Sequence, residues 1–215
     1  MSVAAKICGL STEAAVMEAI AGGAAYLGFV FYPPSPRAVT ADQAARLCTA
    51  VPSGITRVGL FVDADDDTIG AVLAKAPIDL LQLHGHESPD RVADVKLRFA
   101  RPVMKAVAIA AQEDALAAGR YEEISDLLLF DAKPPRRLDA LPGGNGLAFD
   151  WELIAGRSWH CAWMLSGGLT AEILPEAVRI SSAIAVDVSS GVESRPGEKD
   201  PGKIRAFLAA AHALG

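Results

Sequence analysis

The sequence predicts an α/β protein that folds as a single (β/α)8 TIM barrel around a parallel, eight-stranded core. Short apolar runs alternate with Ala- and Leu-rich helical segments along the 215 residues, at a spacing of about 25 residues that suits one βα unit. Polar residues also recur on one face of successive strands, usually near the carboxyl end. A sheet covered on both sides favours strands that are apolar on both faces, whereas a barrel gathers polar residues at one rim of its interior. Together these observations favour a closed barrel over an open, doubly wound sheet.

Eight segments are predicted to be strands, and we expect a helix after each of them. They cover residues 3–7, 26–31, 56–62, 79–84, 103–107, 126–130, 162–165 and 184–188. Capping residues mark three helix starts: Thr40 and Gln43 fit a capping box, while Ser88 and Asp200 each precede a proline at the first helical position. No long linker interrupts this order, so we expect a single domain over residues 1–215.

The fourth and fifth predicted strands show the alternation that favours the barrel. Leu81 and Leu83 share one face of their strand, whereas Gln82 and His84 share the other. In the next strand Lys105 lies between apolar neighbours. Because alternate residues of a strand point to opposite faces, we expect the polar set to line the inside of the barrel.

The composition describes a globular chain and excludes several classes of partner. Hydrophobic residues make up 51% of the chain and charged residues 21%, which allows a sizeable core. The net charge of −6 and the lack of a Lys/Arg cluster argue against a nucleic-acid binder. No apolar stretch approaches the roughly 18 residues that a bilayer span needs, and the amino-terminal segment lacks signal-peptide features. We therefore expect a cytoplasmic protein with neither nucleic acid nor membrane as a partner.

Three scattered cysteines form neither a zinc-binding pair nor a disulfide framework, so each is predicted to be a reduced thiol. Cys48 and Cys161 are expected to be packing residues. Cys8 ends the first strand, where it could be a general base or nucleophile, or a buried structural thiol. Lys6, on the same face, is expected to lower the pKa of the Cys8 thiol.

Asp131 follows the apolar residues 127–130 and enters the predicted cleft. A carboxyl group at the end of such an apolar strand is partly removed from water. This environment favours the protonated form that a general acid requires. The alternative is a carboxylate that caps the backbone of the following loop, and the sequence leaves both interpretations open.

Glycine clusters follow the last two predicted strands, where (β/α)8 barrels often bind phosphate through backbone N–H groups. They are Ser166-Gly167-Gly168 and Ser189-Ser190-Gly191. A third cluster, residues 143–146, matches a dinucleotide-binding fingerprint only weakly, because it does not directly follow a strand. The sequence therefore predicts a site for a phosphorylated small molecule.

Two histidines at the end of the fourth strand lack a third residue that would complete a metal site. We expect His84 to line the barrel rim and His86 to face solvent, with no metal bound.

The chain resembles the phosphoribosylanthranilate isomerase family in an ordered set of segments that spans almost its whole length. They are KICG (6–9), GFVFY (28–32), SPR (35–37), LQLHG (81–85), LFD (129–131), GGNG (143–146), FDW (149–151), LSGGL (165–169), VDVSSGVE (186–193) and PGEKD (196–200). Each segment alone is weakly specific, but the set in this order is highly specific.

The resemblance implies an Amadori rearrangement of N-(5-phosphoribosyl)anthranilate that needs neither metal nor organic cofactor. By the same resemblance, Cys8 is the general base, Asp131 the general acid and Arg37 the residue that engages the anthranilate side. Asp187 is expected to contact a ribose hydroxyl. The other substrate-binding residues implied are His84, Gly144, Gly146, Ser166, Gly167, Gly168, Ser189, Ser190 and Gly191. We expect the protein to act as a monomer or a homodimer.

Three other classes remain open at this point. Another phosphosugar barrel, of the indole-glycerol-phosphate synthase type, would use a lysine acid, for which Lys105 is a candidate. A non-catalytic barrel that only binds a phosphorylated ligand would keep the glycine clusters but would not need both Cys8 and Asp131. A receiver-like signalling domain is disfavoured by the length and by the eight βα units.

Overall fold

Eight parallel strands, hydrogen-bonded in sequence order, close into a barrel in a computed structural model that describes residues 3–133 and 142–214. The strands are β1 (Ala4–Cys8), β2 (Tyr26–Val30), β3 (Thr56–Phe61), β4 (Leu80–Leu83), β5 (Val103–Ile109), β6 (Leu127–Ala132), β7 (Ala162–Leu165) and β8 (Ala185–Val188). The predicted fold class is confirmed. Residues 1–2, 134–141 and 215 of the predicted domain lie outside the described residues.

Seven α-helices cover the outside of the barrel within the described ranges. They are α1 (Glu13–Ala21), α2 (Ala41–Cys48), α3 (Asp66–Leu73), α4 (Pro89–Phe99), α5 (Gln112–Ala118), α6 (Leu174–Ser181) and α7 (Pro201–His212). The predicted caps are confirmed: Thr40 and Gln43 form the reciprocal capping box of α2, and the side chains of Ser88 and Asp200 accept backbone N–H bonds at the starts of α4 and α7.

One of the helices expected after every strand is not found within the described residues. Between β6 and β7 the described residues contain only a short 3₁₀ helix, Trp151–Leu153. Gly144 and Gly146 precede it with φ values of 72° and 69°, a left-handed backbone that turns the chain into a loop rather than a helix.

A small hairpin, which the sequence interpretation did not include, lies between β8 and α7. Its antiparallel strands are β9 (Glu193–Arg195) and β10 (Glu198–Lys199). It places two charged residues, Glu193 and Lys199, beside the rim of the barrel.

The barrel interior is apolar toward the amino ends of the strands and polar toward their carboxyl ends. Val58, Leu80, Met104, Leu129 and Met164 form an interior cluster that is separate from the larger core between sheet and helices. Further along the strands the inward positions become polar, as the alternation in β4 predicted. The same expectation is wrong for Lys105 in β5, because Met104 and Ala106 take the inward positions and Lys105 points to the outer face of the sheet. The fold therefore closes one end of the barrel with side chains and leaves a polar rim at the other. No helix among the described residues has the length and apolar character that crossing a lipid bilayer requires.

Candidate active site

A pocket opens at the carboxyl ends of the strands and has a volume of about 730 Å³ including its mouth. This rim is where the active sites of (β/α)8-barrel enzymes lie. The predicted residues that line it are Cys8, Arg37, His84, Asp131, Gly144, Ser166, Gly167, Gly168, Asp187, Ser189, Ser190 and Gly191. Gly146 does not line the pocket, although a Cβ placed on it would lie 3.8 Å from the Ser190 hydroxyl oxygen.

Cys8 is buried at the end of β1, directly beside the fully buried Lys6. Gly28 on the neighbouring strand makes room for both, because an added Cβ there would lie 2.9 Å from Cys8 Sγ and 3.1 Å from Lys6 Nζ. The expectation that Lys6 lowers the pKa of Cys8 is only half right. The Lys6 charge does act in that direction, but burial outweighs it and raises the pKa of the thiol above its ordinary value. Asp187 adds to this rise, because its negative charge opposes the thiolate.

Asp187 and Ser166 form a hydrogen-bonded pair at the floor of the pocket. Asp187 Oδ1 accepts a hydrogen bond from Lys6 Nζ at 2.9 Å, and Asp187 Oδ2 accepts one from Ser166 Oγ at 3.0 Å. Buried ion pairs need such additional partners, since desolvation otherwise cancels their attraction. The partners fix the Asp187 carboxylate at the position where the resemblance implies a ribose contact.

Asp131 lies within β6 and contacts His84 at the end of β4. The Gln82 side-chain amide lies 2.8 Å from His84 Nδ1. The other ring nitrogen, His84 Nε2, lies 3.2 Å from Asp131 Oδ2. Asp131 Oδ1 accepts the backbone N–H of Ala132 at 2.8 Å, as the capping interpretation requires. Sequence reasoning placed Gln82 inside the barrel but missed its contact with His84.

Arg37 lies between β2 and α2. Its guanidinium group reaches the pocket and is held in position by hydrogen bonds. Arg37 Nε and Nη2 donate to the two carboxylate oxygens of Glu193 at 2.7 and 2.8 Å, and Nη2 also donates to the carbonyl oxygen of Gly144 at 3.2 Å. Lys199 donates to the same carboxylate. The motifs GVE and PGEKD contained Glu193 and Lys199, but nothing in their spacing indicated Arg37 as the partner.

Three glycine-containing segments converge at one side of the pocket. Gly167 and Gly168 follow β7 with φ values of 89° and 62°, and an added Cβ on Gly168 would lie 2.6 Å from the carbonyl carbon of Leu147. The loop after β7 therefore packs directly on the segment that follows Gly146, with Ser190 nearby. Backbone packed this closely and free of side chains is suited to an anion.

Two alternative sites find no support in this geometry. His86 is exposed and lies 3.3 Å from Asp63, away from His84, and no group of three His, Cys, Asp or Glu residues in the described ranges could hold a metal ion. Lys105 forms a buried ion pair with Glu87 at 2.8 Å and does not line the pocket. Its role as the lysine acid of a synthase-type barrel is therefore not supported.

A closed barrel whose rim gathers a thiol, a carboxyl group and glycine-rich loops in one pocket defines an enzyme of the (β/α)8-barrel class. Residues 5–210 match the model of a family described as N-(5'-phosphoribosyl)anthranilate (PRA) isomerase. The chain belongs to this family.

Known relatives and solved structures agree with this assignment. The chain is 55% identical to N-(5'-phosphoribosyl)anthranilate isomerase from Paramagnetospirillum magneticum, with 98% of each chain covered, and 56% identical to that from Paracoccus denitrificans, with 99% covered. A crystal structure of phosphoribosyl anthranilate isomerase from Thermotoga maritima matches with a TM-score of 0.88 at 35% identity, covering 99% of this chain and 100% of that one. A structure of the same enzyme type in complex with reduced 1-(o-carboxyphenylamino)-1-deoxyribulose 5-phosphate matches with a TM-score of 0.83 at 33% identity, with the same coverage.

Proposed function

We propose that this chain converts N-(5'-phosphoribosyl)anthranilate to 1-(2-carboxyphenylamino)-1-deoxyribulose 5-phosphate, a step of tryptophan biosynthesis, by general acid and base catalysis. The observation that carries the proposal is the presence of the Cys8 thiol and the Asp131 carboxyl in one pocket beside the converging glycine segments. The thiol and the carboxyl lie on β1 and β6, strands separated by two others in the closed sheet, so a sugar can lie between them.

In the first step Asp131 donates a proton to the furanose ring oxygen. The ring C–O bond breaks, and the lone pair of the anthranilate nitrogen forms the C=N bond of an iminium ion. Asp131 Oδ1 accepts the Ala132 N–H, and Asp131 Oδ2 lies 3.2 Å from His84 Nε2, which limits the directions that the carboxyl group can take in the pocket. Such fixed geometry is what proton transfer by a side chain requires.

In the second step the Cys8 thiolate removes the proton from the sugar carbon next to the iminium carbon. The positive charge makes that C–H bond acidic, so a base of moderate strength is sufficient. The bonding electrons form an enolamine, which tautomerises to the ketone. The product has the same atoms as the substrate, and protons exchanged with solvent restore Asp131 and Cys8.

The two anionic groups of the substrate would bind at the ends of the pocket. Arg37 suits the anthranilate carboxylate through the positive charge of its guanidinium group, whose Nε and Nη2 already donate to Glu193 and Gly144. The glycine-containing segments at Gly168 and Ser190 suit the phosphate. The sugar would then lie over Asp187, whose carboxylate can accept a bond from a hydroxyl group.

The test is a turnover assay that follows the loss of phosphoribosylanthranilate fluorescence with the purified protein. We expect saturable, first-order loss in the absence of added metal or cofactor, with competitive inhibition by inorganic phosphate. Absence of turnover by folded protein would contradict the proposal. Equal turnover of the dephosphorylated substrate would contradict the phosphate site.

We further propose a cytoplasmic enzyme, built as one domain over residues 1–215, that acts as a monomer or a homodimer. The three cysteines are all free, which suits a reducing compartment. One matched structure from Thermotoga maritima is of monomers generated from a dimeric phosphoribosylanthranilate isomerase, so both states occur in that relative. Light scattering of the purified chain distinguishes a mass of one chain from a mass of two, and a larger assembly would contradict the proposal.

A further inference from the structure

Glu193 and Lys199 form a buried, charged connection between Arg37 and the loop after β8. Glu193 binds Arg37 through both carboxylate oxygens, and Glu193 Oε1 also accepts a hydrogen bond from Lys199 Nζ at 2.8 Å. Lys199 Nζ donates in addition to the carbonyl oxygen and the hydroxyl of Ser189, at 3.0 and 3.3 Å. The contacts therefore run without a break from Arg37 to Ser189.

The three charged side chains are nearly inaccessible to solvent, with 6% of Arg37, 4% of Glu193 and 2% of Lys199 exposed. Their formal charges sum to +1, so the cluster stays cationic beside a pocket proposed for a ligand with two anionic groups. Burial opposes the charged form of Glu193, but the bonds from Arg37 and Lys199 outweigh it and hold its pKa below the ordinary value. Glu193 is therefore a carboxylate that is shared between two cations.

Lys199 has no donor left for a ligand. An ammonium group has three N–H donors, and its three partners are Glu193 Oε1 and two oxygen atoms of Ser189. Lys199 therefore holds other residues in place, and it is not among the residues that line the pocket.

The hairpin that carries both residues is fixed to the segment before Arg37. Gly197 at its turn has a φ of 86°, and an added Cβ there would lie 2.5 Å from the carbonyl oxygen of Pro36. Lys203 Nζ donates to the carbonyl oxygen of Glu193 at 2.7 Å, which ties the hairpin to α7. The hairpin is therefore fixed by contacts with the segment before Arg37 and with α7.

We propose that Glu193 and Lys199 are positioning residues that hold Arg37 at a set separation from the Ser189–Gly191 loop, and so select ligands that carry a carboxylate and a phosphate at that separation. This inference rests on the proposed function, because it takes Arg37 as the carboxylate site and the loop after β8 as part of the phosphate site. It assigns to the GVE and PGEKD motifs a role in specificity.

The experiment compares two ligands in the wild-type protein and in Glu193→Gln. Reduced 1-(o-carboxyphenylamino)-1-deoxyribulose 5-phosphate carries both anionic groups, whereas inorganic phosphate carries only one. Gln at 193 cannot offer the charged, bidentate acceptor that orients Arg37. We expect the affinity for the analogue to fall about tenfold or more, while the affinity for inorganic phosphate stays nearly unchanged. The same variant should raise KM more than it lowers kcat.

Lys199→Met removes the second charged residue that links Arg37 to the loop after β8. It provides an independent test of the proposal if Glu193→Gln does not fold. It releases Ser189 as well as Glu193, so the affinities for both ligands should fall. In the double variant the loss of analogue affinity should be smaller than the product of the two single losses, because both residues belong to one network. Glu198→Gln is the matched control, since Glu198 lies in the same hairpin and its carboxylate pairs with the exposed Arg195.

A purely structural role predicts a different pattern, in which both ligands are weakened equally in Glu193→Gln. That pattern, or unchanged analogue affinity in both variants, would overturn the positioning role. Turnover by the wild-type protein is measured alongside. Its absence overturns the proposed function and with it this inference. Turnover by the wild-type protein together with unchanged analogue affinity in both variants overturns the positioning role alone.

Discussion

Cys8 is subject to two opposing influences, burial and the positive charges of Lys6 and Lys199. Burial dominates and raises the pKa of the thiol, while both lysines act to lower it. The thiolate fraction therefore still grows at a pH where an exposed thiol is already ionised. We expect the thiolate absorbance that is present in the wild-type protein and absent from Cys8→Ser to keep rising above pH ~8.5, the ordinary pKa of a cysteine. A pH titration of both proteins checks this, and a plateau reached below pH 8 would contradict it.

Replacing Cys8 by serine removes the proposed base with little change in size. A hydroxyl ionises far less readily than a thiol, so Cys8→Ser should fold normally and lose roughly 10²–10⁴-fold in kcat. Circular dichroism and the fluorescence assay measure the two effects. Cys161→Ser is the control, because Cys161 is a free thiol that does not line the pocket. Near-wild-type turnover of Cys8→Ser would reject Cys8 as the base.

Asp131→Asn keeps the shape of the side chain but cannot act as an acid. We expect kcat to fall by roughly 10²–10⁴-fold while the reduced product analogue still binds. Asp126→Asn, just before the same strand, is the control, since Asp126 bonds Lys96 and the Val103 N–H rather than the pocket. If Asp131→Asn loses analogue binding and keeps its chemical step, Asp131 is a binding or capping residue, and another group is the acid.

At the scale of elements, the phosphate role of the β7 loop can be tested by adding one methyl group. Gly168→Ala would place Cβ 2.6 Å from the Leu147 carbonyl carbon, in a left-handed backbone. Gly156 has a similar φ of 67° with no atom within 4 Å of an added Cβ, so Gly156→Ala carries only the backbone strain. We expect Gly168→Ala to weaken inhibition by inorganic phosphate and Gly156→Ala to leave it unchanged. Equal inhibition of both variants would place the phosphate elsewhere.

The elements that local signals determine were predictable from the sequence. Apolar runs located all eight strands to within two residues at each end, and the caps at Thr40, Ser88 and Asp200 were found because they depend on near neighbours. The missing helix between β6 and β7 and the β9–β10 hairpin were not predicted. Both features lie in segments where glycine residues and contacts between loops, rather than hydrophobic periodicity, determine the backbone conformation.

At the scale of the whole molecule, the site depends on contacts that join distant parts of the chain. Lys6 and Asp187 are 181 positions apart, and Arg37 and Glu193 are 156 apart. Strand parity predicted that such polar residues would reach the rim, and the resemblance implied roles for several of them. Which charged groups pair there across long distances follows from barrel closure, so the contact of Glu193 with Arg37 could not be derived from spacing.

The buried charges also link the stability of the barrel to pH. Because the pKa of Glu193 is lowered in the folded protein, its contribution is present above the unfolded value of about 4.3 and is lost as the pH falls through the folded value. Glu193→Gln should therefore reduce the free energy of unfolding at pH 7 by about 3 kcal/mol, and by less in acid. Urea unfolding at several pH values measures this, and a difference that does not depend on pH would contradict it.

The most direct test of the account is a crystal structure of this protein with the reduced product analogue. We expect the analogue carboxylate at Arg37 and the phosphate beside Gly168 and Ser190. The sugar chain should lie between Cys8 Sγ and the Asp131 carboxyl, within about 3 Å of the groups that exchange protons. An analogue bound away from this pocket, or one whose sugar contacts neither Cys8 nor Asp131, would contradict it.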